Sequence, residues 1–369
     1  MRPEARAAML DVLDRLPGNP SGQHSWARDA RRALDDARDQ VAEFVGCRPG
    51  EIVFTSGGTE ADNLAIRGVT SATGGRPLCL ATDHHAVIES VRAAGGGLIP
   101  VEPTGIVDMG ALGELLDLAP GPRVTIVSVA LANNEVGTIQ PLDEVAAVVR
   151  GRRDPPMVHI DAVAAAAWVD LTGRNNGFDL VAISGHKVGG PKGIGALAVR
   201  SGVAISPMFH GGGQERELRA GTQNVAGAVA LGAALAATAA ERSDLVARTL
   251  ALRERLERGL AAVPGIVFTS ELPAGVAGRR TVPHVVHLCI PGVEREELLF
   301  LVDRAGVAAS AGSSCASGAL EPSHVLTAMG VSDDHAAGAL RLSLGWSSTD
   351  ADVDHALAVI PAAVEGLTR

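Results

Sequence analysis

The first two thirds of the chain alternate between short apolar runs and stretches whose apolar residues recur at helical spacing. The apolar runs are Glu51–Thr55, Leu78–Thr82, Val124–Val129, Met157–Asp161, Leu180–Ser184 and Gly195–Val199. Most are continuously apolar rather than alternating, which predicts strands covered by helices on both faces. Glu60–Val69 and Leu142–Arg150 lie between them with helical periodicity, so the pattern predicts α/β architecture with a mostly parallel sheet. Ahead of the first strand, Ser25 is placed to cap a helix reaching about Val45, with Ala30, Leu34, Ala37, Val41 and Phe44 on one face.

After Thr222 a proline-free helical region runs to about Val263, and the pattern then changes. Val285–Ile290 and Leu340–Leu344 read as strands, Glu294–Ala305 and Ala351–Leu367 as helices. The expected division is a large domain over residues 16–240, holding a sheet of the seven-stranded type between helices, and a smaller α+β domain over residues 241–369. The boundary falls inside the long helix, and a helix over residues 1–15 is expected to pack with the small domain.

Composition narrows the function classes. Hydrophobic residues are 46% and charged residues 20% of the 369, a globular balance. With 32 basic and 42 acidic residues the net charge is −10, and no basic patch interrupts it, so no nucleic-acid partner is expected. Charges throughout Met1–Leu16 are unlike a secretory signal. Val225–Ala240, the longest uncharged apolar stretch, is short and rich in Ala and Gly, and reads as a core helix rather than a membrane span. Cys47, Cys79, Cys289 and Cys315 form no CxxC pair and no metal-binding spacing with histidine, so neither a disulfide framework nor a metal centre is expected. A reducing cytoplasm fits that usage.

Among the 32 basic residues only Lys187 and Lys192 are lysines. In a chain that otherwise uses arginine, a lysine is a candidate for a position needing an amine that can lose its proton, as Schiff-base formation requires, the alternative being that two lysines survive by chance. Lys187 closes Ser184-Gly185-His186-Lys187 at the end of an apolar run, where open α/β sheets present their ligands. Asp161 ends another such run, 26 residues earlier. A lysine with a carboxylate for a pyridine nitrogen is the minimum equipment for pyridoxal phosphate. Ser56-Gly57-Gly58-Thr59-Glu60 links strand to helix and supplies the free N–H groups of an anion cradle. Lys192 is the rival amine.

The chain resembles the cysteine desulfurases, in the class V aminotransferase group of fold-type I pyridoxal-phosphate enzymes. The matching runs include Phe54-Thr55-Ser56-Gly57-Gly58-Thr59-Glu60, Thr82-Asp83-His84, Asn133-Asn134-Glu135-Val136-Gly137, His159-Ile160-Asp161, Ser184-Gly185-His186-Lys187, His210 to Thr222, Ser314-Cys315, Leu320-Glu321-Pro322-Ser323 and Arg341-Leu342-Ser343-Leu344-Gly345. The resemblance implies that Lys187 holds pyridoxal 5'-phosphate as a Schiff base and that Asp161 pairs with its ring nitrogen. His84 would stack on the ring and move protons. Gly58, Thr59, Ser184 and His186 would bind the phosphate. Thr222 would reach the phosphate of a neighbouring subunit, which implies a homodimer. Asn134 would contact cofactor and substrate, and Arg341 the substrate carboxylate, a bidentate task suited to a guanidinium.

Cys315 would take the sulfur of L-cysteine as a persulfide, releasing L-alanine, and pass it to an unidentified acceptor protein. Cysteines are most often small buried hydrophobes, a reading that suits Cys79 and Cys289. The run of small residues from Ala309 to Gly318 sets Cys315 apart as a reachable thiol. Two departures stand out: Ala164 occupies the position where the family places a glutamine, and the chain starts without the family's opening Ala-Thr-Thr segment. The alternatives are a cysteine or selenocysteine lyase or related β-eliminase, which needs no such thiol, and a catalytically weak scaffold in a sulfur-transfer assembly.

Overall fold

The computed structural model describes residues 1–118, 121–172, 178–269, 280–312 and 322–368. The chain forms two units. The first comprises Met1–Ile99, Met109–Leu131 and Pro141–Arg242; the second comprises Pro100–Asp108, Ala132–Gln140 and Ser243–Arg369.

In the first unit the order is α1 (Pro3–Arg15), α2 (Ser25–Val45), β1 (Ile52–Thr55), α3 (Gly58–Thr73), β2 (Arg76–Leu80), α4 (His85–Ala93), β3 (Gly97–Ile99), α5 (Met109–Asp117), β4 (Val124–Ala130), α6 (Leu142–Arg150), β5 (Met157–Asp161), β6 (Leu180–Ser184) and β7 (Gly195–Val199). Helix α7 (Val225–Leu260) follows and crosses from one unit into the other. The sheet runs β1-β7-β6-β5-β4-β2-β3. Pairs β2–β3, β2–β4, β4–β5 and β5–β6 are parallel, whereas β7 pairs antiparallel with both β1 and β6. Apolar runs carry no sign of direction, so the reversal of β7 left no trace in the sequence.

Strands β4, β6 and β7 are buried at every position. Helix α3 lays Ala61, Leu64, Ala65 and Val69 against Val53, Ile126, Leu180 and Leu197 of the sheet. Burying such side chains contributes about 1.5–3 kcal/mol each. Helix α2 buries Ala27, Ala30, Leu34, Ala37 and Val41 along one stripe, as its spacing predicts, but its cap is His24 rather than Ser25. The His24 ring accepts from the Ala27 N–H, and Ser25 is already helical.

Helix α1 corrects a second expectation. It packs within the first unit, not the small one: Val12 contacts a cluster with Ala30, Val225 and Ala226, and the buried Arg2 pairs with Glu241 at 2.7 Å. The large domain is likewise not continuous, because Pro100–Asp108 and Ala132–Gln140 belong to the second unit. Helix α7 is long and apolar enough to cross a membrane by length and composition, yet Ala228, Ala230, Leu231, Ala234 and Leu235 are buried in protein.

The second unit adds β8 (Val267–Phe268), β9 (Val285–Cys289), α8 (Arg295–Arg304), α9 (His324–Ala328), α10 (Asp333–Ala337), β10 (Ala339–Ser343) and α11 (Asp350–Thr368). Its three strands form an antiparallel sheet ordered β10-β9-β8. Leu256, Leu260, Val286, Leu288, Leu298 and Leu340 are prominent in its core.

Leu34 is fully buried on the core stripe of α2. Leu34→Ala should therefore cost about 2–5 kcal/mol through lost transfer and the cavity left behind. An unchanged urea midpoint would show that this helix contributes little to the core.

Candidate active site

The chemistry-bearing residues of the first unit gather where parallel strands end. Asp161 is the last residue of β5, 6% exposed, and its Oδ1 accepts from the Val163 N–H at 2.9 Å. Burial pushes its carboxyl up to about 6, against the pull of that N–H and of the Lys187 charge. Ser184 ends β6, and Lys187 follows in a single tight turn over Gly185–Lys187. The ammonium of Lys187 therefore acts electrostatically on both Asp161 and His186. Burial, then the charges of Lys187 and Lys192, hold the His186 imidazole below its usual range.

The cradle lies at the start of α3. Its N-cap, Gly57, provides no side-chain cap, which leaves the first-turn N–H groups to an outside acceptor. Ser184 is buried, and its hydroxyl is 2.9 Å from His186 Nδ1. A Cβ on Gly58 would stand 2.6 Å from Val163 Cγ2 and 3.6 Å from Ser184 Cβ. That spacing brings the α3 turn against the ends of β5 and β6 and explains why the position takes no side chain. Gly195 permits a second close approach, since its Cβ would meet the Gly57 backbone at 2.8 Å.

His84 caps α4, and its Nδ1 accepts from the Ala86 N–H at 3.1 Å. With Nδ1 accepting, the neutral ring carries its proton on Nε2. Asp83 sets this turn. Its fully buried carboxyl accepts from Leu80 N at 3.1 Å and Ala130 N at 3.0 Å, tying the ends of β2 and β4 together. Burial, with the charge of Asp161, raises Asp83 to about 8 despite those bonds. Asn63 joins cradle and cap by donating to Thr59 O at 2.9 Å and Ala86 O at 3.4 Å.

One level below Asp161 on β5, His159 is wholly buried, 2.8 Å from Ser128 Oγ and 3.6 Å from Asp62 Oδ1. Burial holds its imidazole down at about 3 and keeps it neutral. Burial, then the charges of Asp161 and Asp83, raises Asp62 well above the carboxylate range. Several buried carboxyls thus crowd one another, and each holds its proton more readily than an exposed aspartate.

Thr222 is exposed and lines a cleft of about 710 Å³ with Ser56, Glu60, His210 and Arg219. The segment approaching it holds Glu215, Arg216 and Glu217 at φ 46°, 59° and 65°. Left-handed backbone at a residue other than glycine costs about 1–2 kcal/mol per residue, so this turn is held from outside. Glu215 is buried, with Arg38 Nη2 at 2.7 Å and Arg38 Nη1 at 2.8 Å.

In the second unit, Arg341 on β10 donates through Nη1 to Asn134 O at 3.0 Å. Its Nε is buried with no hydrogen-bond partner among the described residues. Glu135 is completely buried beside it, and its charge favours the protonated guanidinium against burial. Glu135 Oε2 also accepts from Ser323 Oγ at 2.6 Å. Cys315 lies outside the described residues. Among the described residues no group of His, Cys, Asp and Glu could hold a metal ion.

Sequence reasoning named Lys187, Asp161, His84, Gly58, Thr59, Ser184, His186, Asn134, Arg341 and Thr222 as candidates, and gave no role to Asp83, Glu135, Arg38 or Glu215. Each of these four is fixed by partners remote in sequence, such as the 177 positions between Arg38 and Glu215. For three of them the one local signal was charge inside runs that resemble the family: Asp83 beside His84, Glu135 beside Asn134, and Glu215 in the run ending at Thr222.

The residue set fits pyridoxal phosphate: an amine, a buried carboxylate within its electrostatic reach, a helix start without a side-chain cap, a serine with a histidine, and the imidazole of His84 in the turn after β2. Residues 2–356 match the aminotransferase class-V family. The chain is 40% identical to an IscS-like cysteine desulfurase of Mycobacterium tuberculosis (strain ATCC 25618 / H37Rv), over 100% of this chain and 95% of that protein. A solved NifS-like protein superposes with a TM-score of 0.89 at 31% identity, covering 99% of this chain and 96% of the other. SspA, solved in complex with cysteine, matches with a TM-score of 0.77 at 28% identity over 93% and 95% of the two chains.

The raised pKa of Asp161 has a consequence for the cofactor-free protein. The folded state holds that proton more tightly than an unfolded aspartate does, so the contribution is present below about pH 4 and is lost as pH rises through about 6. Wild type should lose stability relative to Asp161→Asn across that window in urea unfolding; a pH-independent difference would contradict the buried, proton-holding carboxyl.

Proposed function

The chain belongs to the class-V aminotransferase family, among its cysteine desulfurases, and from that membership we propose that its site binds pyridoxal phosphate and removes sulfur from L-cysteine, releasing L-alanine. The observation that carries this is the buried Asp161 at the end of β5, with the Lys187 amine acting on it from the turn after β6. When bound, pyridoxal phosphate supplies an aldehyde for an amine and a ring that withdraws electrons from the substrate's α-carbon.

This chain's residues would do the rest. Asp161, dry and fixed by the Val163 N–H, keeps a proton on the ring nitrogen. Gly58, Thr59, Ser184 and His186 hold the phosphate by N–H and hydroxyl donors at the positive end of α3. Lys187 would hold the cofactor through its amine and serve as the base for the α-proton of cysteine. His84, with its Nδ1 held by the Ala86 N–H, would offer an Nε2 proton to the reaction. Arg341 and Asn134 receive the substrate carboxylate, which would satisfy the buried Arg341 Nε. Cys315 accepts the sulfur: its thiolate bonds to the substrate sulfur while the carbon–sulfur bond breaks toward carbon, leaving a persulfide for an acceptor protein.

The same reading makes the protein a homodimer in the cytoplasm, with Thr222 of each protomer serving its partner's phosphate. It is supported by the exposure of Thr222 beside an open cleft.

Incubation with L-cysteine should give L-alanine and a protein persulfide in equal amounts in a single turnover. Cys315→Ser should lose the persulfide and keep the visible absorbance; retained sulfur transfer would remove Cys315 from this role. Ala164→Gln, which restores a donor in the family's position, should tighten cofactor binding by up to about tenfold, the worth of one net hydrogen bond. Equilibrium dialysis of the cofactor measures it, and unchanged affinity would show that this ring edge needs no such donor.

A further inference from the structure

The segment leading to Thr222 contains a conformation that its own residues do not favour. Glu215, Arg216 and Glu217 form one left-handed turn, a shape that residues other than glycine rarely adopt in succession. Such a turn persists only where its surroundings determine it.

Those surroundings centre on one carboxylate. Glu215 Oε1 and Oε2 receive the two arms of Arg38 at 2.7 and 2.8 Å, and Oε2 also accepts from Phe54 N at 2.9 Å. Arg38 continues to Ile52 O at 2.8 Å and lies over the Phe54 ring, 4.8 Å from its centroid. The turn is thereby pinned to α2 and to β1, the strand that ends in the phosphate cradle. Beyond the turn, Arg219 Nε reaches Glu60 Oε1 at 3.0 Å, and Glu60 Oε2 accepts from Ser56 N at 2.7 Å. Gly221 N donates to Gln214 Oε1 at 3.1 Å, one residue short of Thr222.

A buried ion pair is weak evidence for stability, because apolar side chains of the same volume often serve as well or better. Its use here as a fork that fixes direction, on a strained turn, favours a positioning role. Resting on the dimeric reading given above, we infer that the Arg38–Glu215 pair is a positioning device, holding the left-handed turn so that Thr222 of one protomer meets the cofactor phosphate held by its partner.

Mixed dimers test this. One protomer carries Lys187→Ala, so only the other can bind the cofactor covalently. Glu215→Gln is then placed on either protomer, and release of cofactor from the working lysine is followed by visible absorbance. With Glu215→Gln on the Lys187→Ala protomer, retention should weaken about tenfold, the effect of misplacing one charge-assisted hydrogen bond. With Glu215→Gln on the working protomer it should stay near the unmodified value. Equal weakening in both placements, or weakening only on the working protomer, would overturn the inference.

Thr222→Ala in the same two placements separates the premise. If it acts across the dimer while Glu215→Gln does not, the positioning role fails and the dimeric reading stands. If Thr222→Ala has no effect across the dimer, or no mixed dimer forms, the premise fails and the inference falls with it. Arg38→Lys keeps the charge and loses the fork, so it should reproduce the Glu215→Gln pattern should the latter not fold; a different pattern from this variant would likewise overturn the role.

Discussion

A carboxylate removed from water at the end of β5 is the constraint on which the rest of the first unit depends. Asp161 has one backbone N–H for a partner and a lysine charge within electrostatic reach. Burial alone would neutralise it, so its surroundings must allow it to ionise when a positive group arrives. Asp83 and Asp62 are also buried and hold their protons more readily than ordinary carboxylates. His159 stays uncharged beneath. The floor of the site is thus a set of acids in which a cationic ring nitrogen would select one for ionisation.

The backbone sets the geometry above that floor. Ser184, Lys187 and the cradle turn come together because β5 and β6 end side by side, and because Gly58 and Gly195 let α3 approach them closely. Asp83 closes the far side by linking β2 and β4 under His84. In the second unit, Glu135 plays a comparable part. Its buried carboxylate grips Ser323 and lies against Gly312, where a Cβ would come within 3.3 Å of Oε2. It also stands beside Arg341 and stabilises the guanidinium that the substrate carboxylate would meet.

Most strands were legible because they are largely apolar runs, and the long helices because their stripes are regular. Strands β3 and β8 were not, since Gly97–Ile99 is three residues long and follows two glycines and Val267–Phe268 is only two residues long. Helix α1 was assigned to the wrong unit because the pairing of Arg2 with Glu241 cannot be seen in a linear pattern. Lys187 and Asp161 were readable as chemistry because they interrupt apolar runs at strand ends. Arg38 looked like any charge on the polar side of α2, and only the fold shows that it turns inward to Glu215. Buried charges of this kind are defined by pairs, and a sequence displays single residues.

The most direct measurement is chemical. Borohydride reduction of the protein loaded with pyridoxal phosphate, followed by peptide mapping, should place the pyridoxyl group on Lys187 alone. A pyridoxyl group on Lys192, or on no lysine at all, would contradict the assignment of this site.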